Sequence, residues 1–128
     1  MPITDLAQLL QSMEPIRREG EFVFVASGSL PADVQIEASV REDEGPSFVI
    51  ARRDADRLGL QYDFVAAWIM LTVHSSLEAV GLTAAISAAL TQESISCNVI
   101  AGLRHDHLLV PVDATEAALA ALRRLSKP

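Results

Sequence analysis

Two short segments of this sequence carry side chains that could do chemistry, one around His74 and one around His105. The first reads His74-Ser75-Ser76, and a serine beside a histidine is typical of a nucleophile and its base. Adjacent residues of a strand point to opposite faces, so His74 and Ser75 cannot form that pair directly, whereas His74 and Ser76 share a face if the strand continues. The sequence has no glycine-rich phosphate loop, nucleophile elbow or HExxH motif. An enzyme is therefore not expected.

The second segment, Arg104 to His107, raises the possibility of a metal site. His105 and His107 are two residues apart, so on a strand they project from one face and could share an ion. Asp113 follows, but it is expected to cap a helix, and no glutamate or cysteine offers a further ligand. We therefore favour a polar hairpin that packs against a neighbouring module, and expect neither a metal nor a cofactor.

The residues after His74 raise a different question, because a helix is predicted to open with a bare glycine, Gly81. In one interpretation, small polar residues and glycine simply end a strand and start a helix. In the other, a small molecule binds at this turn. The sequence of the segment alone leaves both open.

Composition favours a globular protein with an acidic surface. The chain has 128 residues, 50% of them hydrophobic, with a formal charge of −7 and a pI of about 4.8, which argues against nucleic-acid binding. Cys97 is the single cysteine, so an internal disulfide and a cysteine-based zinc site are excluded, and a buried, inert thiol is expected. No secretion signal is recognisable, and the longest apolar run, 64–73, is about half a membrane span. A cytoplasmic protein is expected.

Hydrophobic periodicity predicts the elements that must position these residues. The first half reads α-β-β-β-α, and the second half reads β-α-β-β-α, which lacks one strand of a ferredoxin-like βαββαβ unit. That strand would have to come from the first half. The first-half elements are a helix over 5–13 capped by Thr4, strands over 21–26, 36–43 and 47–51, and a helix over 51–60 closed by Gly59. The second-half elements are a strand over 66–73, a helix over 81–93, strands over 96–103 and 108–112 joined by a tight connection over 104–107, and a helix over 113–125 capped by Asp113, with Arg123 and Arg124 near its end.

The distribution of apolar residues predicts how these elements pack. Both second-half helices have one apolar stripe, so both should cover one face of the sheet. In the last helix the stripe comprises Ala117, Leu119, Ala120, Leu122 and Leu125. The strand 66–73 is apolar on both faces, with Ile69 on one side and Trp68 on the other. The second face must therefore be covered by the first half or by another copy of the chain.

Three stretches together resemble a known family. LTVHSSLEAVGLTAAISAAL, ISCNVIAGLRHDHLLVPV and the upstream EDEGPSFVIA are similar to small bacterial proteins made of two tandem ACT-like modules. The resemblance implies an α+β fold of two ferredoxin-like βαββαβ-type modules, over 1–62 and 63–128, with antiparallel sheets and helices on one face. It also implies a regulatory protein rather than an enzyme, since ACT modules bind amino acids beside allosteric enzymes such as aspartokinase.

The resemblance further implies where a ligand would lie. In ACT modules it lies between two modules, against the first strand-to-helix loop and the start of a neighbour's second strand. The residues at those positions, with those of a Glu-Gly-Pro-Ser turn, form the predicted ligand-binding set: His74, Ser75, Ser76, Leu77, Val80, Gly81, Leu82, Thr83, Asn98, Val99, Ile100, Glu44 and Gly45. Pro46 and Ser47 replace the leucine and threonine common in the family, so a plain hairpin turn is the better interpretation there.

Residue chemistry is compatible with that implication. Gly81 would let a ligand approach the backbone closely, and the N–H groups of the first helical turn can receive a carboxylate. Asn98 has both donor and acceptor groups, while Ser76 and Thr83 could add hydroxyl contacts. A side chain at Gly81 is expected to abolish binding while leaving the fold intact. The plainer alternatives are that the serines cap backbone groups, that Asn98 bonds to a nearby loop and that His74 is a buried imidazole bonded to a carbonyl.

The predicted function is therefore small-molecule sensing. We expect an amino acid as the ligand and a homodimer as the assembly, with no nucleic acid and no membrane as partners. Ligand binding would favour one packing of the modules over another. The alternative is a structural or protein-interaction module that uses the sheet face and binds no ligand.

Overall fold

Helix α1 (Leu6–Ser12) begins where the sequence predicts a helix, but its capping residue differs. The Asp5 carboxylate accepts a hydrogen bond from the Gln8 backbone N–H at 3.0 Å, so Asp5 rather than Thr4 is the N-cap. The computed structural model describes residue 2 and residues 4–126. Parts of the predicted modules 1–62 and 63–128, namely Met1, Ile3, Lys127 and Pro128, lie outside the described residues.

The chain forms two compact units, and the sequence of the second is inserted within that of the first. Unit 1 combines Met1–Arg18 with Ala67–Pro128, and unit 2 is Glu19–Ala66. The remaining elements are β1 (Pro15–Arg17), β2 (Phe22–Ala26), β3 (Ala38–Glu42), β4 (Gly45–Ala51), α2 (Arg52–Leu58), β5 (Val65–Leu71), α3 (Leu82–Gln92), β6 (Asn98–Ala101), β7 (Asp106–Pro111) and α4 (Thr115–Ser126).

Strand β1 is the strand that the second half lacks. It pairs antiparallel with β5, so that Pro15 lies opposite Leu71 and Arg17 opposite Ile69. On its other side β5 neighbours β7, which in turn pairs with β6. The prediction that the first half supplies the missing strand is therefore confirmed. Together with α1, this strand brings the beginning of the chain into unit 1.

The core of unit 1 lies between its sheet and its helices. Helices α1, α3 and α4 contribute Leu9, Leu90 and Leu122, all fully buried, to one cluster with Ile69 and Leu108 of the strands. The apolar stripe predicted for α4 was wrong at its two alanines, because the buried alanines lie one residue further along the helix. Ala118 and Ala121 are buried, whereas Ala117 and Ala120 are exposed.

Trp68 lies on the opposite face of β5 and is also buried, at 4% exposure. The Arg18 guanidinium lies over the indole at 4.7 Å from the ring centroid, a cation–π arrangement. The His107 ring packs edge-on against the same indole, with centroids 5.5 Å apart. Polar and cationic groups of unit 1 therefore cover part of this second apolar face.

Unit 2 is an antiparallel sheet with one helix on it. Its strands follow the order β3-β4-β2, and the first residues of β5 pair with β2. Alternate residues of β2, Val23 and Val25, pack with Ile50 and with Ala55 of α2 in its core. Helix α2 closes at Gly59, which adopts the left-handed conformation with φ of 68°, as the sequence predicts.

Several connections differ from the prediction. Strand β5 ends at Leu71 rather than at residue 73, and Asp106 and His107 lie inside β7 rather than in a connection. Asp113 lies within a 3-10 turn, Val112–Ala114, and α4 begins only at Thr115. No helix among the described residues is long and apolar enough to cross a membrane.

Candidate functional site

A small cavity lies at the end of the loop that joins β5 to α3, within unit 1. Its volume is about 80 Å³. The loop, the first turn of α3, the last residue of β6 and the first residue of β7 all contribute to it. The lining residues are Ser75, Ser76, Leu77, Ala79, Leu82, Thr83, Ala101 and Asp106. The structure thus brings together Ser75, Ser76, Leu77, Leu82 and Thr83 from the predicted ligand-binding set.

Helix α3 begins at this cavity. Gly81 is its N-cap, with φ of 104° and ψ of −17°, and no side chain caps the helix. Leu82 and Thr83 are its first helical residues, and the N–H groups of a first turn have no partner within the helix. A helix N-terminus also carries partial positive charge, so an anionic group at this position would be stabilised.

The two serines of the loop have different partners. Ser75 is buried, with 8% of the residue exposed, and its hydroxyl donates a hydrogen bond to the Asp106 carboxylate at 3.5 Å. The Ser76 hydroxyl accepts a hydrogen bond from the Glu78 backbone N–H at 3.1 Å. Ser76 therefore does cap a turn, as one interpretation of the sequence proposes, while it also lines the cavity. Because β5 ends at Leu71, His74 and Ser76 do not share a strand face.

Two of the histidines lie beside the cavity without lining it. The ring centroids of His74 and His105 are 6.3 Å apart. The His105 Nδ1 donates to the Val73 carbonyl at 3.3 Å, since a carbonyl can only accept. The bond to a backbone carbonyl that the sequence suggests for His74 is thus made by His105. His74 itself is half-buried.

The predicted residues of β6 point in two directions. Asn98 pairs with Leu109 and Ala101 with Asp106. Side chains alternate along a strand, so Asn98 and Ile100 lie on the face opposite to Ala101, which lines the cavity, whereas Val99 lies on the same face as Ala101. Val99 packs against the core of unit 1. The structure therefore does not bring Asn98, Val99 or Ile100 into the cavity.

Glu44 and Gly45 lie in unit 2, at the hairpin that joins β3 to β4. Glu42 pairs with Gly45, and the chain turns at Asp43 and Glu44. Gly45 has φ of 126°, which a glycine adopts without strain. The hairpin turn favoured by the sequence is thus present, and it lines a separate open depression of about 370 Å³.

Two remaining predicted residues, Val80 and Gly81, lie in the unit 1 loop outside the cavity lining, with Val80 83% exposed.

His107 has a structural partner that settles its tautomer. The Trp68 indole N–H donates to His107 Nδ1 at 3.0 Å, and an indole N–H can only donate, so Nδ1 is the unprotonated nitrogen. Burial lowers the pKa of His107, and the neighbouring His105 and Arg18 lower this pKa further, while Asp106 acts in the opposite direction. These effects together favour the neutral form of His107 in the folded protein.

We expect this histidine to make the protein sensitive to acid. With the folded pKa below the unfolded value of about 6.5, the unfolded chain binds more protons, so the free energy of unfolding is highest above that value and falls as the pH drops below it. His107→Gln keeps an oxygen acceptor for the indole N–H but cannot titrate. Urea unfolding at pH 7.5 and 5.5 should show a smaller loss at low pH for the variant. An equal loss in both proteins would contradict this assignment.

The side chains around His105 and Cys97 were tested against the two further possibilities, a metal site and a reactive cysteine. Within residue 2 and residues 4–126, no three histidine, cysteine or acidic side chains come together as a metal site requires. Burial raises the pKa of the Cys97 thiol, which disfavours the reactive thiolate. His105 and His107 instead contact Val73 and Trp68.

Asp106 and the two alanines of the cavity, Ala79 and Ala101, are the lining residues that the sequence did not single out for a ligand. Asp106 belongs to the segment from Arg104 to His107, for which the sequence predicts only a polar hairpin. The pairing of Ala101 with Asp106 in the β6–β7 ladder places both next to the β5–α3 loop. In the sequence, Asp106 is a single carboxylate near the start of a strand. It indicates a ligand site only when the position of the β5–α3 loop beside it is known.

Two family models of the ACT domain match this chain, over residues 1–67 and 64–124. Together with the ferredoxin-like architecture, these matches define the class. The chain belongs to the ACT domain family, and two such domains follow one another along it. ACT domains are regulatory modules, so this membership supports a regulatory, ligand-binding role. No curated protein sequence matches the chain.

Solved structures agree with the assignment. A Vibrio cholerae protein of unknown function, described as a possible transport protein, is 40% identical with a TM-score of 0.85, and the match covers 95% of this chain and 96% of that one. The ligand-free regulatory subunit of aspartate kinase from Thermus thermophilus is 8% identical, with a TM-score of 0.65 and coverage of 91% and 99%. Aspartate kinase from Clostridium acetobutylicum is 13% identical with a TM-score of 0.63, and 90% of this chain matches 34% of that enzyme. At such identities the two kinase matches show a shared fold.

Proposed function

We propose that this chain is a non-catalytic regulatory protein that binds an amino acid in the cavity of the β5–α3 loop. The observation that carries the proposal is the composition of the cavity wall. The N-terminal turn of α3 and the carboxylate of Asp106 line one space. Membership of the ACT family supports a ligand at this loop, since the loop is the one implied by the resemblance.

The two polar elements of the cavity match the two charges of an amino acid. A ligand carboxylate would accept hydrogen bonds from the N–H groups of Leu82 and Thr83, where the helix dipole favours negative charge. A ligand ammonium would donate to the Asp106 carboxylate, which already accepts a bond from Ser75. We therefore propose the cavity residues as the contact set, with Gly81 shaping the turn.

Regulation would follow from a shift between conformations. A ligand can favour one arrangement of the modules only by binding it more tightly than the other. We propose that the chain acts as a homodimer and transmits the state of its site to a partner protein. We also propose that its modules divide at residues 62 and 63, close to where the two family matches overlap.

A binding screen tests the proposed function. Each of the twenty standard amino acids would be added to the purified protein, and stabilisation by a ligand that binds only the folded state would raise the melting temperature. Calorimetry would then give the dissociation constant of each hit. The absence of any hit would contradict the proposal and favour a module that only contacts other proteins.

Asp106→Asn is the variant that tests the site itself. The amide keeps an oxygen for Ser75 but loses the negative charge opposite the ligand ammonium, so the dissociation constant should rise about tenfold or more. Asp43→Asn makes the same change on the exposed hairpin of unit 2 and should leave binding unchanged. If Asp106→Asn bound the ligand as tightly as Asp43→Asn, the site would lie elsewhere.

A further inference from the structure

The cavity of the β5–α3 loop is small for a ligand site. Its volume of about 80 Å³ is close to that of three waters in the liquid, at roughly 30 Å³ each. Pockets that hold drug-sized ligands have about 300–1,000 Å³. The cavity therefore holds only a few non-hydrogen atoms. The ammonium and carboxylate of an amino acid, with the carbon that joins them, would take up most of this room.

The inner side of the cavity adjoins the core of unit 1, so the cavity cannot extend inward. The lining residues Ser75 and Leu82 are buried, with 8% and 3% of each residue exposed. Leu82 belongs to the hydrophobic cluster of unit 1, and Ala79 packs against that cluster. A close-packed interior yields little space to an inserted group. A ligand side chain much longer than a methyl or hydroxymethyl group must therefore leave through the opening of the cavity.

The opening of the cavity is lined by exposed residues. Leu77, Thr83 and Ala101 are exposed, Leu77 by 66%. A ligand side chain that passes them reaches water and buries little apolar surface, so it gains little from the burial of its methylene groups. Greater length should therefore not increase affinity at this site. Branching at the β-carbon should decrease affinity, because a second branch needs space inside the cavity.

The charges of the lining residues limit the ligand side chain further. Of the described residues that line the cavity, Asp106 is the only one that carries a charge. An acidic ligand side chain would find no cation in this lining, and a basic one would compete with the ligand ammonium for the same carboxylate. The Ser76 hydroxyl accepts from the Glu78 N–H and still has its own proton to donate to a ligand hydroxyl. A neutral side chain, apolar or hydroxylated, fits this lining.

We propose that the site selects a small neutral amino acid, namely glycine, alanine or serine, and that the short side chains of Ala79 and Ala101 set the limit on its size. This inference rests on the proposed function, because it specifies the ligand of the same cavity. It also names two residues whose size determines specificity, and Ala101 is the one that can be enlarged without entering the core, since it is exposed.

A graded series of ligands tests the size limit on the unmodified protein. Glycine, alanine, 2-aminobutyrate, valine and leucine share one ammonium and one carboxylate, so calorimetry of the series isolates the effect of the side chain. Valine and leucine, like aspartate and lysine, should have dissociation constants about tenfold or more above that of the tightest small amino acid. A larger or charged amino acid that binds as tightly would overturn this inference and leave the proposed function intact. Binding by no amino acid would overturn both.

Ala101→Val tests whether the cavity wall causes the selection. Valine suits a strand, and its two added methyl groups would occupy part of the cavity, so the dissociation constant of the tightest small amino acid should rise about tenfold or more. Ala26→Val makes the same change at an exposed alanine that also ends its strand, and it should leave binding unchanged. Urea unfolding shows whether both variants are folded, and the ligand series stands without them. Equal affinities of the two folded variants would overturn the inference.

Discussion

Replacing Leu90 with alanine is expected to lower the free energy of unfolding by about 3–5 kcal/mol. Leu90 is fully buried in α3 and belongs to the cluster that joins the helices of unit 1 to β5 and β7. The substitution removes buried methyl and methylene groups and leaves a cavity that close-packed neighbours fill only in part. Since a domain of ordinary stability has about 5–15 kcal/mol, the variant should be close to unfolding.

Leu77→Ala makes the same chemical change on the exposed loop, where the leucine is 66% exposed. It should change the free energy of unfolding by less than about 0.5 kcal/mol. Both variants would be compared with the parent protein by urea denaturation followed by circular dichroism. A similar loss for Leu77→Ala and Leu90→Ala would mean that the packing of α3 on the sheet is misassigned.

Gly81→Ala is expected to lower the free energy of unfolding by about 1–3 kcal/mol, because a side chain there meets two obstacles. The backbone has φ of 104°, a conformation that residues with a Cβ rarely adopt. An added Cβ would also lie 3.0 Å from Leu6 Cδ2. The structure thus corrects the expectation that a side chain at Gly81 would affect binding alone, because a change there also strains the fold.

A second pair of variants separates the two obstacles. Leu6→Ala removes the crowding and leaves the backbone conformation, so Gly81→Ala in that background should recover only part of the loss. Gly28→Ala serves as the control, since a Cβ at Gly28 meets nothing within 4 Å and its φ is not positive. Thermal and urea unfolding would give the differences. Full stability of Gly81→Ala in both backgrounds would show that this turn adopts another conformation.

The candidate site was predictable where it depends on one continuous segment. The loop that follows β5 contains Ser75, Ser76 and Leu77, and the helix after it begins with Leu82 and Thr83. One loop therefore brings these residues together in any fold that keeps both elements. Asp106 enters the cavity through the register of β6 with β7, a pairing between separate segments. The same register turns Asn98 to the other face, although its amide has the donor and acceptor groups that a ligand would need.

Hydrophobic periodicity and turn residues determined the order of elements apart from β1, because both are local properties, and the three stretches that resemble ACT-like modules indicated the family. The left-handed Gly59 that ends α2, for example, depends on only a few adjacent residues. Tertiary structure alone decided which alanines of α4 are buried, because Ala117, Ala118, Ala120 and Ala121 are equally apolar and only the position of the sheet distinguishes them. It also decided that Pro15–Arg17 pairs with β5. A strand this short has too little sequence to reveal a partner that lies some fifty residues away.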